Sequence, residues 1–320
     1  MRRVALSARP KVQRLLGWGV LAPNYRLPPR VRIRAEGAER IPDEPVIFAM
    51  NHTDRYNYWP FQYWLWRHAD RYTATWVKGK YYENKLLGRF MELTNNIPTP
   101  SRGYVLTKDF AQTVGRSPSD DEYRALRRLA TGEDEAAAAL PEAIGAHARD
   151  ILGRFFDPSE ETYAACIDAL MGALMARFVE LNEECFAKKL DLLVFPEGTR
   201  SLRLSRGRIG VAQAALRFRR AIVPVGCSGS DKLYPGGNPL ARGGEVTYRI
   251  GEPMPYDALE EFQLPPGVDP FGERASEDHR LVLQALVDRV MDRINDLVDP
   301  QYRFAEDRQS DGVAGAKRFV

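Results

Sequence analysis

Six short runs of β-branched and aromatic residues, each bounded by turn formers, set the strongest limit on the fold: VRIRA (31–35), PVIFAM (45–50), YTATWV (72–77), DLLVF (191–195), AIVPVG (221–226) and EVTYRI (245–250). Helical patterns alternate with several of them. SDDEYRALRRLA opens with Ser119 and Glu122 at capping-box spacing and has Gly132 as its stop. Ile144, Ala148, Ile151 and Phe155 fall on one face of a second helix, and Tyr163, Ile167, Leu170, Leu174 and Leu181 form the stripe of a longer one from about Ser159. Leu283, Leu286, Val290, Ile294 and Leu297 mark a last helix. Strands interleaved with helices predict an α/β fold, with a central, mostly parallel or mixed sheet flanked by helices.

Charge is informative when divided along the chain. Residues 1–35 hold nine Lys or Arg and no acid, which leaves 37 basic and 43 acidic residues for the rest. The chain reads as a basic leader (1–30), a mildly acidic body (31–300) and a polar, loose tail (301–320). Val12, Leu15, Leu16 and Trp18 sit among the leader's charges at helical spacing, which suits either an anionic membrane surface or a surface helix packed on the body. A basic leader without a basic fold behind it argues against nucleic acid as a partner. No apolar run reaches the roughly 18 residues of a membrane span. Cys166, Cys185 and Cys227 lie far apart, without CxxC spacing, and predict free thiols in a reducing compartment and no metal site.

The chemically distinctive residues follow strands. NHTDRYN comes after PVIFAM, FPEGTRS after DLLV, and Pro224 lies within IVPVG. In α/β sheets, the loops leaving strand ends are where ligands collect.

These blocks resemble the glycerophospholipid acyltransferase family, the lysophosphatidic acid acyltransferases and their relatives. The family's first block is Asn-His, four residues, then Asp; FPEGTRS stands here unaltered as Phe195 to Ser201; RGRIG supplies Arg208 and Gly210; Pro224 and IGEPM (250–254) follow in order, so that the resemblance covers about residues 30–255. It implies transfer of a fatty acyl chain from acyl-CoA or acyl carrier protein, as substrate and with no cofactor, to a lysophospholipid or glycerol phosphate. Lysophosphatidic acid to phosphatidic acid is the leading case. It also implies a peripheral place on the cytoplasmic face of a membrane.

An alcohol is a poor nucleophile at neutral pH, and a positioned imidazole that removes its proton is worth about 100- to 10,000-fold in rate. The resemblance makes His52 that base. An arginine fork suits a phosphate dianion, so Arg200 is its first holder and Arg102, after NNIPTP, its second. Glu197 binds glycerol hydroxyls, organises the loop, or caps a helix. The same resemblance implies that Gly198 supplies a backbone conformation closed to other residues, that Thr199 donates to phosphate, that Arg208 adds a cation, and that Pro224 borders a donor groove.

One position departs from the family. Asn57 stands where the family has Asp, and an amide orients an imidazole without stabilising its charge. Three readings stand: His52 works with Asn57, as papain-like sites pair His with Asn; Asp54 has taken over, or merely caps a helix; or the chain is a catalytically lapsed lipid-binding module. A thioester hydrolase is a weaker rival. The aromatics Tyr56, Tyr58, Trp59, Phe61, Tyr63, Trp64 and Trp66 exceed one core stripe and suggest a lipid-facing surface. The 145 positions from His52 to Glu197 indicate a helical insertion at about 104–160, a lid or a decoration.

Overall fold

In a computed structural model, residues 4–309 are described. Lys11–Leu16 (α1), a π-helical turn at Gly17–Leu21 and Ala22–Arg26 (α2) run on without leaving helical backbone angles. Then come Val31–Glu36 (β1), Ile47–Met50 (β2), Tyr58–Ala69 (α3), Thr73–Lys78 (β3), Lys85–Leu93 (α4) and Asn96–Thr99 (β4). A largely helical stretch follows: Arg102–Val114 (α5), Asp120–Leu129 (α6), Glu142–Ala146 (α7), the hairpin Arg149–Ile151 (β5) and Arg154–Phe156 (β6), and Tyr163–Ala187 (α8). The chain re-enters the sheet at Asp191–Val194 (β7) and continues through Gly210–Phe218 (α9), Ile222–Ser228 (β8), Ser230–Leu233 (α10), Gly244–Ile250 (β9), Glu273–Asp278 (α11) and Arg280–Leu297 (α12).

The result is a mixed α/β fold whose seven-stranded sheet has the order β1-β9-β8-β2-β7-β3-β4. β8, β2, β7, β3 and β4 run parallel, while β9 is antiparallel to β8 and parallel to β1. The central runs IFAM, DLLV and IVPVGCS are buried at every residue because helices cover both faces. Along β2, Ile47 and Ala49 join the core under α8, α9 and α12, whereas Val46, Phe48 and Met50 join the core under α3. Edge strand β1 alternates instead, with Arg32 and Arg34 in solvent, which blunts an exposed edge.

All six strand expectations match strands of this sheet. β4 escaped them because NIPT carries Asn and Pro, and Pro98 is tolerated on an edge. The helix expected from Ile144, Ala148, Ile151 and Phe155 is replaced by the short α7 and the β5–β6 hairpin. Leu152 (φ 52°) and Gly153 (φ 93°) form its two-residue left-handed turn, so Ile151 and Phe156 point inward at strand rather than helix spacing.

The stretch from α5 to α8 has its own core of Val105, Leu106, Phe110, Leu126, Ile144 and Ile167, among others. Asp109 is buried there between Arg149, which donates to both its oxygens at 2.8 Å, and the hydroxyl of Tyr163 at 2.8 Å. The leader is tied down: Val4 and Leu6 are buried, Tyr25 meets Tyr234 hydroxyl to hydroxyl at 2.9 Å, and Gly17 lets α1 approach Trp66. Residues just past α12 are tied down as well. Tyr302 is 1% exposed, its hydroxyl donates to Asp231 and accepts from Gly229 N, and backbone bonds join Leu204 N to Tyr302 O and Arg206 N to Arg308 O. Residues 310–320 of the expected tail lie outside the described residues.

Candidate functional site

Three loops meet at the carboxyl edge of the parallel strands. β2 ends at Met50 and hands on to Asn51 and His52; β7 ends at Val194 and hands on to Phe195–Ser201; β3 ends at Lys78. Asn51 extends the sheet by one rung with its side chain: its Nδ2 donates to Cys227 O at 2.9 Å and its Oδ1 accepts from Cys227 N at 2.7 Å. The backbone of His52 is gripped on both sides by the Phe195–Ser201 loop. Its N–H donates to Glu197 Oε1 at 2.9 Å, and its carbonyl accepts from Ser201 N at 2.9 Å. The other oxygen of Glu197 accepts from Ser205 N and Ser205 Oγ, at 3.1 and 3.0 Å.

The imidazole is half-buried and stacks on Phe195, with ring centroids 4.0 Å apart. Its Nδ1 lies 3.1 Å from Asn57 Oδ1. The amide orientation follows from its other bond, since Asn57 Nδ2 donates to the carbonyl of Asn51 at 2.8 Å. Oδ1 therefore faces the ring, Nδ1 carries the proton, and the lone pair is left on Nε2. Burial, opposed by the Asn57 hydrogen bond and reinforced by the charges of Arg200 and Lys78, pushes the imidazole from 6.5 down to about 3. The ring is neutral at pH 7.

Asp54 does not touch His52. Its carboxylate accepts from Tyr56 N and Thr53 Oγ1, at 2.8 and 3.0 Å, and it shapes the turn into α3 without capping it. Glu197, 2% exposed, organises the two loops, and burial raises its carboxyl from 4.5 to about 7. Gly198 adopts φ 66°, and the side chain of Arg208 passes so close that a Cβ there would stand 3.0 Å from Arg208 Cδ. Arg200 is exposed, with no hydrogen bond or ion pair among the described residues, and its charge reaches His52. Thr199 is half-buried beside it.

His52, Asn57, Glu197, Gly198, Thr199, Arg200 and Arg208 thus come together, Asp54 stays in the turn before α3, and two further expected residues stand apart. The guanidinium of Arg102 is committed to Asp168, at 2.6 Å, and to Ala130 O. Pro224 is buried within β8, opposite Ala49, where it packs against Gly251. Sequence reasoning missed Lys78 and Ser205. Lys78 had a signal, as a cation closing a strand immediately before a glycine.

Fold and site together define an α/β protein with a His–Asn pair and exposed cations at the carboxyl edge of a mixed sheet. Solved structures similar to it include the 1-acyl-sn-glycerophosphate (LPA) acyltransferase PlsC of Thermotoga maritima, 18% identical, with a TM-score of 0.40, over 88% of this chain and 78% of that one. No family model matches the chain, and no curated protein does.

Proposed function

We propose that the chain is an acyltransferase in which His52 Nε2 takes the proton of a lipid hydroxyl as that oxygen attacks an acyl thioester. The carbon–sulfur bond breaks, the thiolate leaves, and the proton on Nε2 passes to it, so that no covalent enzyme intermediate forms. The observation that carries this reading is the fixed tautomer of His52: Nδ1–H is held by Asn57, and Nε2 is left as a base beside Arg200. Arg200 and Arg208 hold the acceptor's phosphate, and Lys78 adds positive potential. Lysophosphatidic acid is the acceptor we favour, with acyl-CoA or acyl carrier protein as donor.

The same reading places the protein on an anionic membrane surface. Leu15, Trp18 and Val20 of the leader and Leu86, Leu87 and Leu93 of α4 are exposed apolar residues. The leader and α4 flank one apolar cleft of about 80 Å³, lined by Leu16, Val20, Tyr58, Trp59, Trp66 and Phe90 among others. Tyr58 packs edge-on against Phe195, which stacks on His52, so this cleft suits a few methylenes of the acyl chain. Among the described residues no helix is long and apolar enough to cross a membrane.

A second reading is a lapsed lipid-binding module, favoured by the uncharged partner of His52 and the weak basicity of the ring. Purified protein with labelled acyl-CoA or acyl carrier protein and a panel of lysophospholipids separates the two. Transfer by the wild type, lost in His52→Ala, supports the enzyme. An inert wild type with an active Asn57→Asp variant establishes the lapsed site.

A further inference from the structure

α5 presents two different faces. Val105, Leu106 and Phe110 are buried in the core of the insertion. Tyr104, Thr107, Lys108 and Ala111, at i, i+3, i+4 and i+7, line an open cleft of about 330 Å³ whose opposite wall is Lys80, Tyr81 and Glu83. That wall leaves β3 directly after Lys78, whose charge acts on His52, and α5 begins just past the end of β4. The cleft therefore opens at the same edge of the sheet as the candidate site. The ring of Tyr104 lies over Gly79, and a Cβ there would stand 3.6 Å from Tyr104 Cε1.

The side chains that line it carry ammonium and hydroxyl groups on methylene stems and aromatic rings. Glu83 is the one carboxylate among the residues that line it, and that carboxylate is engaged by Lys108 at 2.6 Å and by the Tyr104 hydroxyl at 2.8 Å. With Lys80 the balance of charge is positive, and Tyr81 and Ser117 add hydroxyls. Ala111 is the lone aliphatic residue of the lining, and the rings of Tyr81 and Tyr104 supply other apolar surface, which suits the stem of a ligand. The volume falls within the range of small-molecule clefts, about 300–1,000 Å³. A polar anion with a narrow stem fits these features.

We propose that this cleft holds the phosphate-bearing end of the donor's pantetheine arm, with Lys80 and Lys108 as its counter-charges. The proposal rests on the acyltransferase reading, under which every natural donor brings such a phosphate, whether in coenzyme A or on a carrier protein. It gives the insertion a task, since α5 supplies one wall.

The test compares wild type with the Lys80→Ala, Lys108→Ala double variant on acyl-CoA, acyl carrier protein and acyl-pantetheine, which lacks the phosphate. Loss of two charge-assisted contacts is expected to raise KM for acyl-CoA about tenfold or more and leave KM for acyl-pantetheine unchanged. A rise for the carrier protein alone supports the cleft and names that source. Equal changes for all donors, or none, overturn the proposal. Calorimetric binding of desulfo-coenzyme A needs no turnover. Weakened binding in the double variant supports the cleft even if the wild type transfers no acyl group, an outcome that refutes the reaction alone. Equal binding to both proteins, or no binding to the wild type, excludes coenzyme A as the source and, with the carrier-protein KM also unchanged, overturns the proposal.

Discussion

Glu197 Oε1 accepts a hydrogen bond from the backbone N–H of His52 at 2.9 Å, joining two loops 145 positions apart in the chain. Each loop leaves a neighbouring parallel strand, β2 or β7, so the sheet's register sets how far apart they stand. The carboxylate then fixes how the histidine backbone sits between them. Both oxygens of a residue that resembles a substrate ligand in sequence are taken up by these loops.

Glu197→Gln places an NH2 group where backbone N–H and hydroxyl donors converge. A cost of about 1–3 kcal/mol is expected, and under the proposed function kcat falls more than KM because His52 shifts while Arg200 and Arg208 do not. The variant also changes the dependence of stability on pH. Burial raises Glu197 from 4.5 to about 7, so the native state keeps a proton that the unfolded chain has lost. That contribution is complete below 4.5 and is lost as pH rises through about 7. Thermal midpoints across this window should fall less steeply with rising pH in the variant than in the wild type.

The imidazole gives a kinetic signature. Because His52 titrates at about 3, kcat/KM should show no histidine limb between about pH 5 and pH 7. Asn57→Asp puts a carboxylate at Nδ1, favours the imidazolium, and should move an acid limb up toward neutrality. An identical profile in both proteins would discount His52 as the base. The native ring stays neutral while the unfolded one takes a proton below 6.5, so His52 also costs stability as pH falls from 6.5 toward 3.

Gly198→Ala meets two obstacles: φ of 66° and a Cβ 3.0 Å from Arg208 Cδ. The backbone strain is about 1–2 kcal/mol. Arg208 must move aside, and steady-state kinetics should show a raised KM for the phosphorylated acceptor.

Asp109→Ala leaves Arg149, 12% exposed at its side chain, without its partner. A loss of about 3–5 kcal/mol is expected. Hydrogen exchange should place the loss in α5, α6 and the β5–β6 hairpin and spare the seven-stranded sheet.

Removing residues 1–30 is a poor test of membrane binding because Val4, Leu6 and Tyr25 are core residues. Trp18→Ser with Leu86→Ser alters side chains that are 58% and 85% exposed. Sedimentation with anionic vesicles should weaken while the thermal midpoint holds. Undiminished sedimentation would remove this surface from the proposal.

The parallel strands were legible because a strand covered on both faces is apolar throughout, as IFAM and DLLV are. The hairpin was not, since Ile151 and Phe155 also fit a helical face, and only the left-handed Leu152–Gly153 pair decides between the periods. His52 and Asn57 were legible as neighbours at short spacing. Their tautomer was not, for it depends on the carbonyl of Asn51. Lys78 and Ser205 act through the meeting of separate loops, which spacing within one stretch cannot reveal.

The backbone of residues 302–308 pairs with Leu204 and Arg206, on either side of the serine that holds Glu197. The histidine is thus buttressed through a relay from this segment to Ser205 and on to Glu197, so loosening it would slacken the centre from a distance.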